Sequence, residues 1–468
     1  MNVPVFAVVG RPNKGKSSIV ATLARDDSVG IEARAGSTRE AREFPMRVDG
    51  ETLYTLVDTP GIQRARAVLE WLRAHAEDAA SRPRAVRDFV AEHRGDARFH
   101  DECALLQPIV DGAGIIYVVD GSVPFGADYE AEMEILRWTG RPSLALINPI
   151  DNEDYVAQWQ AGLGQYFQTV RLFNAQRAEA EKQLELLVLF GHLDEHWRQA
   201  LDRAVAVLRS ERGREHREAA SLITEWIADA LTFQLSQRVP EGLPVKPVED
   251  LLFTRYQHEL QTRERRCRRQ VEEVYHYHRL QRSELDIDLE ASELFNVEQW
   301  YLWGLDRRAL TLVAASAGAL LGGGTGLALD GMTAGLTGGL GTLISGTLGA
   351  ASGGAAALRY ADEIAQLRVK GIPSGGKLVS YGPSRNPNFP FVLLGRALLH
   401  QQRLCSRTHA DRSALQLDTA LLADVSDAER RQLARWFAAL RQPRSAAAAR
   451  QALAEWMLAR TGAPSGSA

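Results

Sequence analysis

Val5-Phe6-Ala7-Val8-Val9-Gly10-Arg11-Pro12-Asn13-Lys14-Gly15-Lys16-Ser17-Ser18-Ile19-Val20-Ala21 is the stretch that decides the fold. Five apolar residues end at a glycine, the eight residues from Gly10 read G-x-x-x-x-G-K-S, and a helix-like run follows at once. Strand, phosphate loop and helix in that order are the context that gives the motif its meaning. Glycines at 10 and 15 allow a tight loop whose backbone N–H groups converge on phosphate oxygens, and the helix behind adds its positive N-terminal end. Lys16 is placed to neutralise β- and γ-phosphates, and the Ser17 hydroxyl to coordinate Mg²⁺. Gly10, Asn13, Lys14, Gly15, Lys16, Ser17 and Ser18 are therefore the expected contacts to a nucleotide. An ordinary glycine-rich turn does not account for the pair Lys16-Ser17.

Further motifs follow in a set order. Ala35-Gly36-Ser37-Thr38-Arg39-Glu40 lies in a polar stretch before the run Phe44-Pro45-Met46-Arg47-Val48. A threonine there, Thr38, can reach Mg²⁺ and the γ-phosphate only while the γ-phosphate is present. Thr52-Leu53-Tyr54-Thr55-Leu56-Val57 reads as a strand and delivers Asp58-Thr59-Pro60-Gly61. A carboxylate at a strand's end, Asp58, can hold Mg²⁺ through water, and the Gly61 N–H can be offered to the γ-phosphate. Lys16, Thr38 and Gly61 are the expected catalytic contacts; Ser17, Thr38 and Asp58 are the expected Mg²⁺ set. The runs 114–120 and 143–147 read as buried parallel strands, the second ending in Asn148-Pro149-Ile150-Asp151. The expected fold over residues 1–176 is a P-loop α/β domain, a mostly parallel sheet with helices on both faces.

Taken together, these motifs resemble the Era, EngA and TrmE group of translation-factor-type GTPases, whose signatures are G-x-P-N-x-G-K-S, G-[TS]-T-R, D-T-P-G and N-K-x-D. The resemblance implies GTP and GDP as ligands and slow hydrolysis of GTP. It implies that Asp151 accepts from the guanine N1 and N2 donors, that Asn148 braces the loop, and that Ala175 offers its N–H to guanine O6. The chain departs from the pattern at Pro149, where the group has a lysine stacked on the base. Ile62 stands where Ras-like enzymes carry a water-orienting glutamine, with Gln63 adjacent. Asn13 matches the loop asparagine that holds K⁺ in potassium-activated members, whose K⁺ site is completed when two GTP-bound domains pair. K⁺-stimulated hydrolysis and a nucleotide-dependent homodimer are thus implied, with a purely loop-shaping Asn13 as the open alternative.

Beyond the motifs the chain is helical in pattern. Residues 63–111 are longer than the usual link after D-x-x-G, and 67–75 and 83–92 read as amphipathic helices, hence a helical insertion. Over 177–308, Leu186, Phe190, Leu193, Trp197, Leu201, Ala204 and Leu208 recur at three- and four-residue steps as one long helix, and the pattern resumes after Gly213. A helix over 249–282 carries Arg263, Arg265, Arg266, Arg268 and Arg269 interleaved with glutamates, read as a solvated face. From 309 to 329 and 331 to 358 no side chain is charged, and Asp330 alone separates the runs. Each is about long enough to span a bilayer, aromatic and basic residues flank them, and small residues recur four apart. A glycine-rich membrane hairpin is the expectation; a close-packed soluble hairpin is the alternative. A mostly helical domain over 359–461, with one short strand at 377–381, and a disordered tail at 462–468 complete the chain.

With 45% hydrophobic and 24% charged residues the composition is that of a globular protein. A formal net charge of −4 argues against a chain built as a whole to neutralise nucleic-acid phosphates. Cys103, Cys267 and Cys405 are far apart and suggest neither a disulfide framework nor a zinc site. A core strand starting near residue 5 is not expected to leave room for a signal peptide. The expected setting is the cytoplasmic side of a bacterial inner membrane, with membrane lipid or an integral membrane protein as partner. The alternative is a cytoplasmic assembly GTPase acting on RNA or the ribosome, for which no basic RNA-reading module is evident.

Overall fold

The computed structural model describes residues 3–27, 29, 40–278, 280, 368–371, 376–384, 386–411 and 425–461. Two compact units divide the chain: Met1–Arg214 with His276–Gln281 and Ser406–Ser413, and Glu215–Tyr275 with Arg282–Cys405 and Ala414–Ala468.

In the first unit, strand β1 (Val5–Val9) leads to helix α1 (Lys16–Ala24), then β2 (Arg42–Val48) and β3 (Glu51–Asp58). The insertion follows as α2 (Ala65–His75), α3 (Arg82–His93) and α4 (His100–Val110), after which come β4 (Gly114–Asp120), α5 (Asp128–Trp138), β5 (Ser143–Asn148), α6 (Val156–Leu163) and β6 (Val170–Leu172). The sheet order is β2-β3-β1-β4-β5-β6, and only β2 is antiparallel to its neighbour. Side chains alternate across a strand, so Phe6, Val8, Ile116 and Val118 enter one core and Ala7, Val9, Ile115, Tyr117 and Val119 the other. The second core is filled by the insertion, through Leu72, Phe89, Leu105 and Ile109.

The first core explains why the unit extends past residue 176. Helix α7 (Ala180–Leu193) and the first part of α8 (Glu195–Thr232) contribute Leu184, Leu187, Phe190, Leu201 and Val205 to it. Phe190 and Trp197 lie against Phe6, with ring centroids 4.2 and 5.1 Å away. The single helix expected from Leu186 to Leu208 is instead broken at Asp194, whose backbone is extended. Gly213, expected to interrupt the pattern, lies inside α8, which runs unbroken from Glu195 to Thr232. Helix α4, with Pro108 inside it, was not anticipated.

The second unit holds the rest of α8, then β7 (Leu235–Val239), α9 (Lys246–Val274), β8 (Arg368–Gly371), β9 (Lys377–Tyr381), α10 (Phe389–Ser406), α11 (Asp427–Leu440) and α12 (Ala446–Arg460). Its antiparallel sheet has the order β7-β9-β8. The expected strand at 377–381 is β9; β7 was not expected. A capping box at Ser426 and Glu429 starts α11. The arginine run of α9 is not wholly solvated: Arg268 is buried, and with Arg396 it donates to the buried Glu264 carboxylate at 2.7 Å each. Burial raises the Glu264 carboxyl, but the two guanidiniums outweigh it and hold the group down at about 2. The hairpin expected at 309–358 lies outside the described residues. Among the described residues no helix is long and apolar enough to cross a membrane.

Candidate nucleotide site

The ends of β1, β3, β4 and β5 converge on the loop that opens at Gly10. Gly15 takes a left-handed φ of 84°, which a side chain disfavours, and a Cβ there would lie 2.1 Å from the Asn148 Nδ2 atom. Lys16 and Ser17 then start α1, so the expected phosphate contacts stand at a helix N-terminus. Asn13 is exposed at φ 60°, and Ser18 is buried in α1. The Lys16 ammonium donates to the Arg11 carbonyl oxygen at 3.0 Å and is 7% exposed. Burial lowers its pKa to about 8, against the pull of Asp58 and Glu132.

The structure brings the two described members of the expected Mg²⁺ set together. The Ser17 hydroxyl donates to Asp58 Oδ2 at 2.8 Å. Thr59 anchors the end of β3 by donating its hydroxyl to the Val8 carbonyl at 2.8 Å. Gly61 presses on the phosphate loop: a Cβ there would meet Pro12 Cδ at 2.4 Å. Thr38 lies outside the described residues.

Asn148 joins the phosphate loop to the loop expected to hold the base. Its Nδ2 donates to the Lys14 carbonyl at 3.4 Å, and its Oδ1 accepts the Ala175 N–H at 3.1 Å. That N–H, expected to reach guanine O6, is therefore turned onto Asn148 in this structure. Thr22 and Asn174 fix the same loops through the Ala175 and Pro149 carbonyls, at 2.7 and 3.0 Å. Asp151 is exposed beside them, and Pro149 is buried. Lys14 also pairs with Asp120 at the end of β4, 3.3 Å away. Burial alone would raise the Asp120 carboxyl; hydrogen bonds from Ser122 and the Lys14 charge bring it below its ordinary value.

Two acids that motif reading missed support this site. Glu132 of α5 is 1% exposed and receives the Arg11 guanidinium and, at 3.1 Å, the Tyr117 hydroxyl. The Arg11 guanidinium also lies 3.9 Å from the centre of the Tyr129 ring. Burial pushes the Glu132 carboxyl up, and the bond from Arg11 pulls it partly back. Glu102 of α4, also buried, holds the segment after Gly61. Both lie on helix faces otherwise apolar, Tyr129-Glu132-Met133-Leu136 and Glu102-Leu105-Leu106-Ile109, and an acid on such a stripe was the available signal.

A phosphate loop with its lysine and serine, a D-x-x-G carboxylate on that serine, and an asparagine bridging to the base loop define a GTPase of the Era/EngA class. Residues 5–148 match the family model described as 50S ribosome-binding GTPase. Residues 160–457 match the model described as a domain of unknown function (DUF3482), and the chain belongs to that family, with the GTPase domain joined to it. Among curated proteins it is similar to GTPase Der of Mycoplasma pneumoniae, 39% identical over 69 residues, covering 15% of each chain. It is also similar to GTPase Der of Bifidobacterium longum, 30% identical over 167 residues, covering 35% of this chain and 30% of that one. The chain thus spans less than a third of the length of either relative. A crystal structure of Aquifex aeolicus Era bound to GDP and AlF4⁻ aligns over 58% of this chain and 90% of that one, at 16% identity and a TM-score of 0.27, too slight a likeness to carry an argument.

Proposed function

We propose that the chain is a molecular switch that binds GTP in preference to ATP and hydrolyses it slowly to GDP and phosphate. The observation that carries this reading is the pair of hydrogen bonds by which Asn148 donates to the Lys14 carbonyl and accepts from the Ala175 N–H, beside the exposed Asp151, coupling a phosphate loop to a site for the guanine edge. Lys16 and the α1 N-terminus hold the β- and γ-phosphates, and the Gly61 N–H meets the γ-phosphate. The hydroxyl and carboxylate of Ser17 and Asp58 suit Mg²⁺, which when bound offsets phosphate charge. The exposed Asn13 amide suits K⁺ in the same way, and paired GTP-bound domains would complete that site. Binding titrations with GTP, GDP and ATP, and hydrolysis rates in K⁺ and in Na⁺, test these statements: equal affinity for GTP and ATP removes the base assignment, and equal rates in the two salts remove K⁺.

For the partner, the description of the family model over residues 5–148 favours the ribosome. Co-sedimentation with ribosomes that depends on a non-hydrolysable GTP analogue is the expected result. A membrane partner is the second reading, favoured by the two uncharged runs between residues 309 and 358. Retention on membranes through alkaline washing, lost when 309–358 is deleted, would select it and place the chain on the cytoplasmic face of the membrane.

A further inference from the structure

The loop after Gly61 is held by a buried carboxylate from the insertion. Glu102 is 3% exposed, and one of its oxygens, Oε1, accepts the N–H of Gln63 at 3.0 Å and of Arg64 at 2.7 Å. These amides open α2, whose first residue is Ala65, so Glu102 caps that helix from 38 residues away. Its neighbour Asp101 accepts the Gln63 side-chain amide at 2.9 Å. Ile62 is 4% exposed in the core that holds Leu105 and Ile109 of the same helix. The segment is thus fixed on three sides: Gly61 on Pro12, Ile62 in the core, and the next two amides on Glu102.

We propose that Glu102 is a positioning residue of the nucleotide site, holding Gly61 where its N–H meets a γ-phosphate and so setting the preference for GTP over GDP. This rests on the switch reading above. GDP makes no use of Gly61, so a defect in Glu102 is felt by the triphosphate alone. Hydrogen bonds to a charged acceptor are the stronger kind. Two lost at once remove the acceptor from both amides and free the segment to drift from the loop. The position has a second consequence: any movement of Gly61 with nucleotide must carry α4 with it, making the insertion the part of the domain where the nucleotide state becomes visible outside the site.

The test compares E102A, E102D and E102Q in the full chain. Alanine removes the acceptor, aspartate withdraws it by one methylene, and glutamine keeps an oxygen in place without the charge. Affinities for GDP and for a non-hydrolysable GTP analogue are measured by titration, with hydrogen exchange of peptides covering 62–72. For E102A and E102D we expect GDP affinity within twofold of the unaltered chain, analogue affinity lower by about tenfold, a lower kcat and faster exchange over 62–72. E102Q falls between. Should E102A not fold, E102D carries the test. Parallel loss of both nucleotides, or no change in either, overturns the proposal. If the unaltered chain binds no guanine nucleotide, the switch reading fails first and this inference with it.

Discussion

Lys16 carries its charge at some cost. It is almost wholly buried, its nearest acceptor is the Arg11 carbonyl, and burial lowers its pKa to about 8. Phosphate oxygens favour the charged form, so the complex holds the proton more tightly than the free protein does. Binding therefore takes up a proton once the pH exceeds about 8, and affinity for GTP is expected to fall as pH rises further. Titrations from neutral to moderately alkaline pH at fixed ionic strength check this. In K16R, whose guanidinium stays charged, the pH dependence should vanish even where overall binding is weaker. Gly10, Gly15, Lys16, Ser17, Asp58 and Gly61 were legible because each motif position permits one chemistry. Glu102 and Glu132 were not, because what makes them matter is a partner far along the chain: Gln63 and Arg64 for one, Arg11 for the other.

At the scale of elements, the same pattern recurs on α9. Glu264 shares its face with Tyr256, Leu260, Cys267 and Val271, and meets Arg268 of the next turn and Arg396 of α10. Removing one member leaves charge buried without its counter-ion, so E264Q is expected to destabilise the second unit by roughly 3–5 kcal/mol in denaturant titrations. The sign with pH follows from a carboxyl held at about 2 when folded, against 4.5 ordinarily. The stabilisation is complete above about 4.5 and is lost as pH falls through about 2. Helices with a sustained apolar period were legible: the runs expected at 67–75 and 83–92 are α2 and α3, each within about two residues. The break at Asp194 and strand β7 were not, since tertiary partners rather than local pattern decide them: Val239 reaches Lys377 and Leu235 reaches Tyr381, over 130 residues away.

For the molecule as a whole, the α/β domain could be recognised from the order of its motifs, but its extent could not. Residues 1–176 look complete by motif, yet one face of the sheet is covered by α7 and the start of α8. A fragment ending at 176 would leave Phe6 without Phe190 and Trp197. Its thermal unfolding, followed by circular dichroism, is expected to be less cooperative and to begin at lower temperature than that of the full chain. The opposite face tells a similar story. Phe89, Leu105, Leu106 and Ile109, each at most 1% exposed, belong to a segment that a comparison of loop lengths would class as extra. An engineer trimming residues 76–112 to obtain a minimal version of this enzyme would therefore strip the covering from Ala7, Ile115 and Tyr117. The surplus loop has become part of the foundation, and the smallest working form of this domain is larger than its motifs suggest.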